Sequence, residues 1–232
     1  MPPLRITDIW QGMADLVRGR LGLFFAVAAP FTLLVDMTLR IFGPTPPATT
    51  ADFTSRTMLW LVVIPALIGS LAQLSIAHLI LRPEAPPRAA LAAAVAVWPG
   101  YLAALMFSAI PTGLGFLLLV LPGIYITGRL FLIVPLAIAA PRMDPVGLLR
   151  TSWAMTGPHG WTLLGFFLLA LIGLFGLSLI ASGVGGALGS VFTLLGLPEV
   201  GRFVAGLIPA VASAFVAIGS AGISSYLYKR LS

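Results

Sequence analysis

The chain has 232 residues, 59% of them hydrophobic and only 9% charged, with a formal net charge of +6 at pH 7 and a mean hydropathy of +1.07. A soluble domain carries about 25% charged residues, so this chain has too few charges to solvate a globular surface and belongs in lipid. It has no cysteine, which excludes disulfides, thiolate metal sites and a cysteine nucleophile.

Lipid admits only helices and closed barrels, because every backbone polar group must be satisfied internally. Barrel strands read as alternating segments of about ten residues, whereas this chain shows long unbroken apolar runs. The expected fold is an all-α integral membrane protein, a single polytopic domain over residues 1–232. A crossing needs roughly 20 apolar residues, and six such spans are expected.

In chain order, an interfacial helix comes first. Ile6, Ile9, Trp10, Met13, Leu16 and Val17 share one face, and Thr7, Asp8, Gln11, Asp15 and Arg18 the other. Arg18-Gly19-Arg20 before an apolar run mimics a secretory signal, but the residues ahead of it are too many and too amphipathic for an n-region, so retention is expected. The first span is Leu21 to Phe42, with Pro30 and Asp36. A Pro/Thr/Asp loop, Gly43 to Arg56, leads to the second span, Thr57 to Leu81, which holds Pro65, Ser70, Gln73, Ser75 and His78. A polar loop, Arg82 to Arg88, opens a weakly amphiphilic piece from Arg88 to Trp98. The third span, Pro99 to Val120, contains Pro111. Leu121-Pro122-Gly123 reads as a tight turn into the fourth span, Gly123 to Ala140, which carries Arg129 and Pro135. The polar connector Arg142 to Gly160 includes a third amphiphilic piece, Pro145 to Thr156. There Val146, Leu149 and Trp153 can share a face, and Pro145 suits a first helical turn. The fifth span is Trp161 to Ser182, followed by a Gly-rich connector, Gly183 to Arg202, and the sixth span, Phe203 to Tyr228, with Pro209.

Each amphiphilic piece precedes a pair of spans. This suggests three like-oriented units, each an interfacial helix plus a hairpin, over residues 1–82, 83–141 and 142–232. The interior prolines either shape kinked helices or mark hinges along a transport path. Small residues recur at a four-residue step: Ser178, Ser182, Gly186 and Ser190 in the fifth span, and Gly206, Ala210 and Ala214 with Ser213, Ala217, Ala221 and Ser225 in the sixth. Such faces pack helices closely, either between these two spans or in an oligomer. Six spans place both termini and the second and fourth loops on one side. That side holds nine basic residues against three on the other, with Arg129 inside a span, so the termini are expected in the cytoplasm.

Polar groups inside spans are the candidates for function. Counted along their spans, Asp36 and Arg129 lie at similar depth near the outer side and can pair. The alternative has Asp36 pairing with Arg40 one turn on and Arg129 snorkelling to headgroups. Gln73 and His78 are secondary polar candidates; His78 either relays a proton or hydrogen-bonds a neighbouring helix. His159, in the fourth loop, reads as solvated. Two distant histidines without cysteine make no metal site, and no hydrolase, zincin or nucleotide-loop motif is present. No catalytic residue, metal or cofactor is expected. The basic inner rim either anchors the protein or binds anionic headgroups, at about 1 kcal/mol per basic residue.

Leu121-Pro122-Gly123-Ile124-Tyr125, Arg129-Leu130 and Pro135, then Ser152-Trp153 and Thr156-Gly157, resemble the glycerophosphoryl diester phosphodiesterase membrane-domain family. Pro122, Gly123 and Tyr125 form its turn motif; Arg150, Ser152 and Trp153 form its elbow. The resemblance implies a six-spanning module of the bacterial inner membrane without the separate catalytic barrel of some members. The chain departs from the family pattern at Ala139-Ala140-Pro141, where a glutamate is common, and at Arg150-Thr151, where paired basic residues are usual. The expected function is a non-enzymatic module that binds membrane lipid, a second copy of itself or another membrane protein, with no nucleic-acid partner. A small transporter or channel with a polar site near Asp36 and Arg129 is the alternative.

Overall fold

A computed structural model describes residues 4–44 and 54–232, and these are helical with no strand among them. The first helix, α1 (Ile6–Arg18), is short and amphipathic. It is followed by α2 (Leu21–Phe42), by α3 (Ser55–Met58), and by a π-helical turn (Leu59–Val63) that runs into α4 (Ile64–Leu81). Next come α5 (Pro87–Leu118), α6 (Val120–Arg129), α7 (Ile133–Ala139) and α8 (Pro145–Thr156). Two long helices finish the chain, α9 (Gly160–Leu194) and α10 (Pro198–Leu231). Six helical stretches are long and apolar enough to cross a membrane. The protein is an all-α multi-pass membrane protein. Most of the expected loop Gly43 to Arg56 falls on residues 45–53, outside the described residues.

Helix α4 is central, packed against α2, α5, α7 and α10. Two apolar cores flank it. One gathers Leu74 and Ala77 with Ala104, Leu132, Leu136, Leu163 and Leu227; the other joins Ile76, Leu79 and Ile80 to Phe24, Ala28, Ala214 and Ile218. The short α7 lies in the first core, buried from Ile133 to Ile138. At the basic end of the bundle, the last carbonyls of α4 are taken by cations from two other helices. Arg20 Nη1 donates to Leu79 O at 3.3 Å and Lys229 Nζ to Ile80 O at 2.8 Å. Positive charge at a helix C-terminus is favourable, so these bonds tie the start of α2 and the end of α10 to the end of α4. Helix α1 closes this end, with Asp8 and Arg230 3.5 Å apart and the Trp10 and Phe166 ring centroids separated by 5.4 Å.

The architecture corrects several sequence expectations. The piece Arg88 to Trp98 is not a separate elbow but the first turns of α5, because an alanine-rich stretch with no breaker favours continuing the helix and Pro99 is accommodated inside it. A distinct short helix thus precedes a hairpin at α1 and at α8, the latter joined to α9 through the 3-10 turn Gly157–His159. The Gly-rich connector Gly183 to Arg202 is largely helical. Gly189 packs so closely on α10 that a Cβ there would lie 2.6 Å from Gly201 O, and this approach compensates for the low helix propensity of glycine. The reversal itself is only Leu195 to Leu197, with Gly196 at φ +80°, a left-handed conformation suited to glycine. Pro122-Gly123 is not a turn either. The chain reverses at Leu119, the single extended residue between α5 and α6. Pro122 sits in the first turn of α6, where its missing N–H costs nothing, and Gly123 lets Phe116 of α5 pack directly on the α6 backbone.

The prolines act differently from helix to helix. Pro30, Pro111 and Pro209 lie inside continuous helices. Pro65 sits in the first turn of α4, two residues past the π-helical turn. Pro135 goes with a real break: the fourth span is two helices, α6 and α7, separated at Leu130 to Leu132.

Candidate functional site

The break in the fourth span frees backbone groups in the bundle interior, and α8 satisfies them. Ser152 Oγ donates to Arg129 O at 2.7 Å and accepts from Leu132 N at 3.3 Å. One hydroxyl thus fills both its donor and its acceptor roles across the gap. For this, α8 buries Leu148, Ser152 and Thr156, one residue every turn. The expected apolar face of Val146, Leu149 and Trp153 is not the docked one: Val146 and Trp153 are each 41% exposed. Helix α8 itself starts cleanly, with Asp144 Oδ2 accepting from Gly147 N at 3.0 Å ahead of Pro145.

Arg129, the last residue of α6, is only 7% exposed. Its guanidinium spans both motifs seen in the sequence. Nη1 donates to Tyr125 Oη at 2.7 Å, Nη2 to Trp153 O at 2.6 Å, and Nε to Thr156 Oγ1 at 3.1 Å. Thr156 in turn donates to Ser152 O at 2.7 Å. The charge also lies 4.3 Å from the Trp153 ring centroid and 5.5 Å from that of Tyr125. A buried cation is costly unless its hydrogen bonds and charge are answered. Here the answer comes from a carbonyl in the last turn of α8, where the helix dipole is negative, and from two aromatic faces. Trp161 extends the aromatic cluster, 5.9 Å from Tyr125.

The expected Asp36–Arg129 pair is not formed. The Arg129 guanidinium is held by Tyr125, Trp153 and Thr156, and the two residues sit on helices with different neighbours. Helix α2, which bears Asp36, packs on α4 and α10; α6 packs on α5 and α9. Depth along an unbroken span was the premise of the pairing, and the break removes it. Asp36 is half-buried, and the side chain of Arg40, its alternative partner, lies outside the described residues. Gln73 is half-buried and His78 fully buried on α4. Arg150 is exposed on α8 and takes no part in the Arg129 cluster. Tyr125, Ser152 and Trp153 therefore meet at Arg129, while Pro122 and Gly123 only shape α6. Sequence reasoning gave Thr156 no role; its spacing of four from Ser152 on one helix face was the available signal. It also missed the bond from Trp98 Nε1 to Ser70 Oγ at 2.9 Å, which ties α5 to α4.

The Ser152 proton goes to a backbone carbonyl, so the hydroxyl is not poised as a nucleophile. Among the described residues, no group of His, Asp or Glu side chains is arranged to hold a metal ion.

Beside the cluster lies an apolar groove of about 500 Å³, walled mainly by α1, α6, α9 and α10. Trp10, Ile124, Phe131, Phe167, Leu174 and Phe215 shape it, with Thr127 and Ser220 as its hydroxyl-bearing residues. A second, smaller groove further along α9 and α10 is also apolar, and neither is lined by Asp36 or Arg129. No family model, curated protein or solved structure matches this chain.

Proposed function

We propose that the protein is a non-enzymatic module of the bacterial inner membrane that binds lipid, seating an acyl chain in the groove between α1, α6, α9 and α10. The observation that carries this reading is the groove's size and lining. Ligand sites usually enclose about 300–1,000 Å³, and this one is aromatic and aliphatic, as a hydrocarbon tail requires. The Arg129 cluster supports it by fixing α6, one wall of the groove, to α8. The convergence of Tyr125, Arg129, Ser152 and Trp153 supports reading the two motifs as one unit, and with it kinship to the membrane-domain family they resemble. The basic end, with Arg20, Lys229 and Arg230, supports a cytoplasmic leaflet of anionic lipid at that end. Transport through a polar site at Asp36 and Arg129 draws no support from two apolar grooves that exclude both residues.

Native mass spectrometry of the protein extracted with its lipids tests the proposal. Gly173 and Gly219 line the groove, and a Cβ at either meets nothing within 4 Å. Gly173→Phe and Gly219→Phe therefore fill the groove without displacing backbone. The expected result is retained lipid on the native protein and its loss from both variants at unchanged thermal stability. Equal lipid retention by native and filled proteins overturns the proposal.

A further inference from the structure

Five serines of this protein's helices bond to their own helix, and two fully buried ones have no partner at all. Ser70 and Ser108 donate to the carbonyl three residues back at 2.6 and 2.7 Å, and Ser224 does so at 3.1 Å. Ser190 and Ser213 donate to the carbonyl four residues back at 2.9 and 3.1 Å. This local bond is the usual resort of a helical serine. Ser75 on α4 and Ser225 on α10 are fully buried, at 0% exposure, yet neither hydroxyl has a hydrogen-bond partner. The Nδ1 atom of His78, a residue 5% exposed, is likewise unpaired. Ser75 and His78 are three apart on α4, so they are neighbours on one helix face.

The register of the two helices brings Ser225 to the same level. Helices α4 and α10 pack together and both run toward the basic end, where Lys229 reaches Ile80 O. One turn back from that bond, Ser225 stands level with the stretch from Ser75 to His78. The rest of this region is apolar: Leu74, Ile76, Ala77 and Leu79 on α4, Ala221, Ile223 and Leu227 on α10, and the whole buried run of α7. Buried polar groups in proteins are nearly always hydrogen-bonded, and orphans demand an explanation. In hydrocarbon the cost of leaving them so is highest.

We propose that Ser75, His78 and Ser225 form a buried water-binding site in the seam between α4 and α10. A buried water typically makes about three hydrogen bonds to otherwise unsatisfied groups. Two hydroxyls that donate or accept and one imidazole nitrogen match the two donors and two acceptors of a single water. The water is then a bridge: it couples α4 to α10 through polar atoms that have no direct bond to each other.

A double-mutant cycle with a structural readout tests the site. Ser75→Ala, Ser225→Ala and the double variant are melted in detergent, and the native protein is solved at a resolution that reveals ordered solvent. Each single change is expected to lower Tm by about 2–4 °C, the shift that follows from losing one such bond in a chain of this size. The double change is expected to lower it no further than the worse single, because both serines serve one water. The density is expected to show a solvent peak within hydrogen-bond distance of Ser75 Oγ, Ser225 Oγ and His78 Nδ1. Additive shifts, or no shift in any variant, overturn the proposal. So does density in which both hydroxyls point to their own helix carbonyls with no solvent peak between them.

Discussion

Ser152 answers two backbone groups at once. Its hydroxyl lies between Arg129 O and Leu132 N at the break in the fourth span. Replacing it with alanine leaves Leu132 N buried and unpaired, at a cost of about 1–3 kcal/mol, while Arg129 O keeps the Thr156 hydroxyl at 3.1 Å. Ser152→Ala should therefore destabilise the protein by roughly 1–3 kcal/mol, the cost of one orphaned group. Arg150→Ala, two residues earlier on the exposed side of α8, should stay within about 0.5 kcal/mol. Equilibrium unfolding in mixed detergent separates the two, and equal effects would contradict the bonding described for Ser152. Tyr125, Arg129, Ser152 and Trp153 were all visible in the sequence as unusual residues in an apolar context. What joins them was not, because it depends on a break that Pro135 permits but does not by itself locate. Pro30 and Pro209 sit in unbroken helices, so a proline in a span does not announce its consequence.

At the scale of the elements, the sequence located the spans well and the small-residue contact less well. The four-residue step in α9 was legible, but two parallel stripes satisfy it. Ser178, Ser182, Gly186 and Ser190 are all exposed, whereas Ala181, Gly185 and Gly189, one residue round the helix, are buried against α10. The buried stripe is the one that meets Gly201 and Ala205 across the hairpin, and only the facing helix selects it. In α10, Gly206, Ala210, Ala214, Ala217, Ala221 and Ser225 are buried and Ser213 is exposed, but Ala214 and Ala221 pack in the core shared with α2 and α4 instead of on α9. This gives a directional prediction. Gly189→Leu drives a side chain into the α10 backbone and should cost about 1–3 kcal/mol or more. Gly186→Leu, whose Cβ meets nothing within 4 Å, should be close to neutral. Spin-label distances across the hairpin should widen for the first variant and hold for the second; the reverse pattern would mean that the facing stripe is wrong.

The molecule has a polar pole, and at the far end of the last hairpin exposed leucines sit beside the exposed Glu199–Arg202 ion pair. Asp8, Arg20, Arg82, Lys229 and Arg230 gather where α1, α4 and α10 end, while Leu194, Leu195 and Leu197 are exposed at the tip of the last hairpin. The charge distribution leads us to expect the polar pole in the cytoplasm. On intact cells, a membrane-impermeant maleimide should label Leu195→Cys, and should label Ser232→Cys only after lysis; the opposite order would invert the topology.

The last hairpin carries a mechanical consequence. Helix α9 has 35 residues, about 52 Å at 1.5 Å per residue, and its outward side carries apolar side chains from Trp161 at one end to Leu194 at the other, interrupted by Ser178, Ser182 and Ser190. The hydrocarbon layer is only about 30 Å thick. Standing upright, the hairpin would push greasy side chains into water. It must lean, or gather thicker bilayer around itself. Its angle is then expected to follow the thickness of the membrane it occupies, and the two helices that lean also wall the groove.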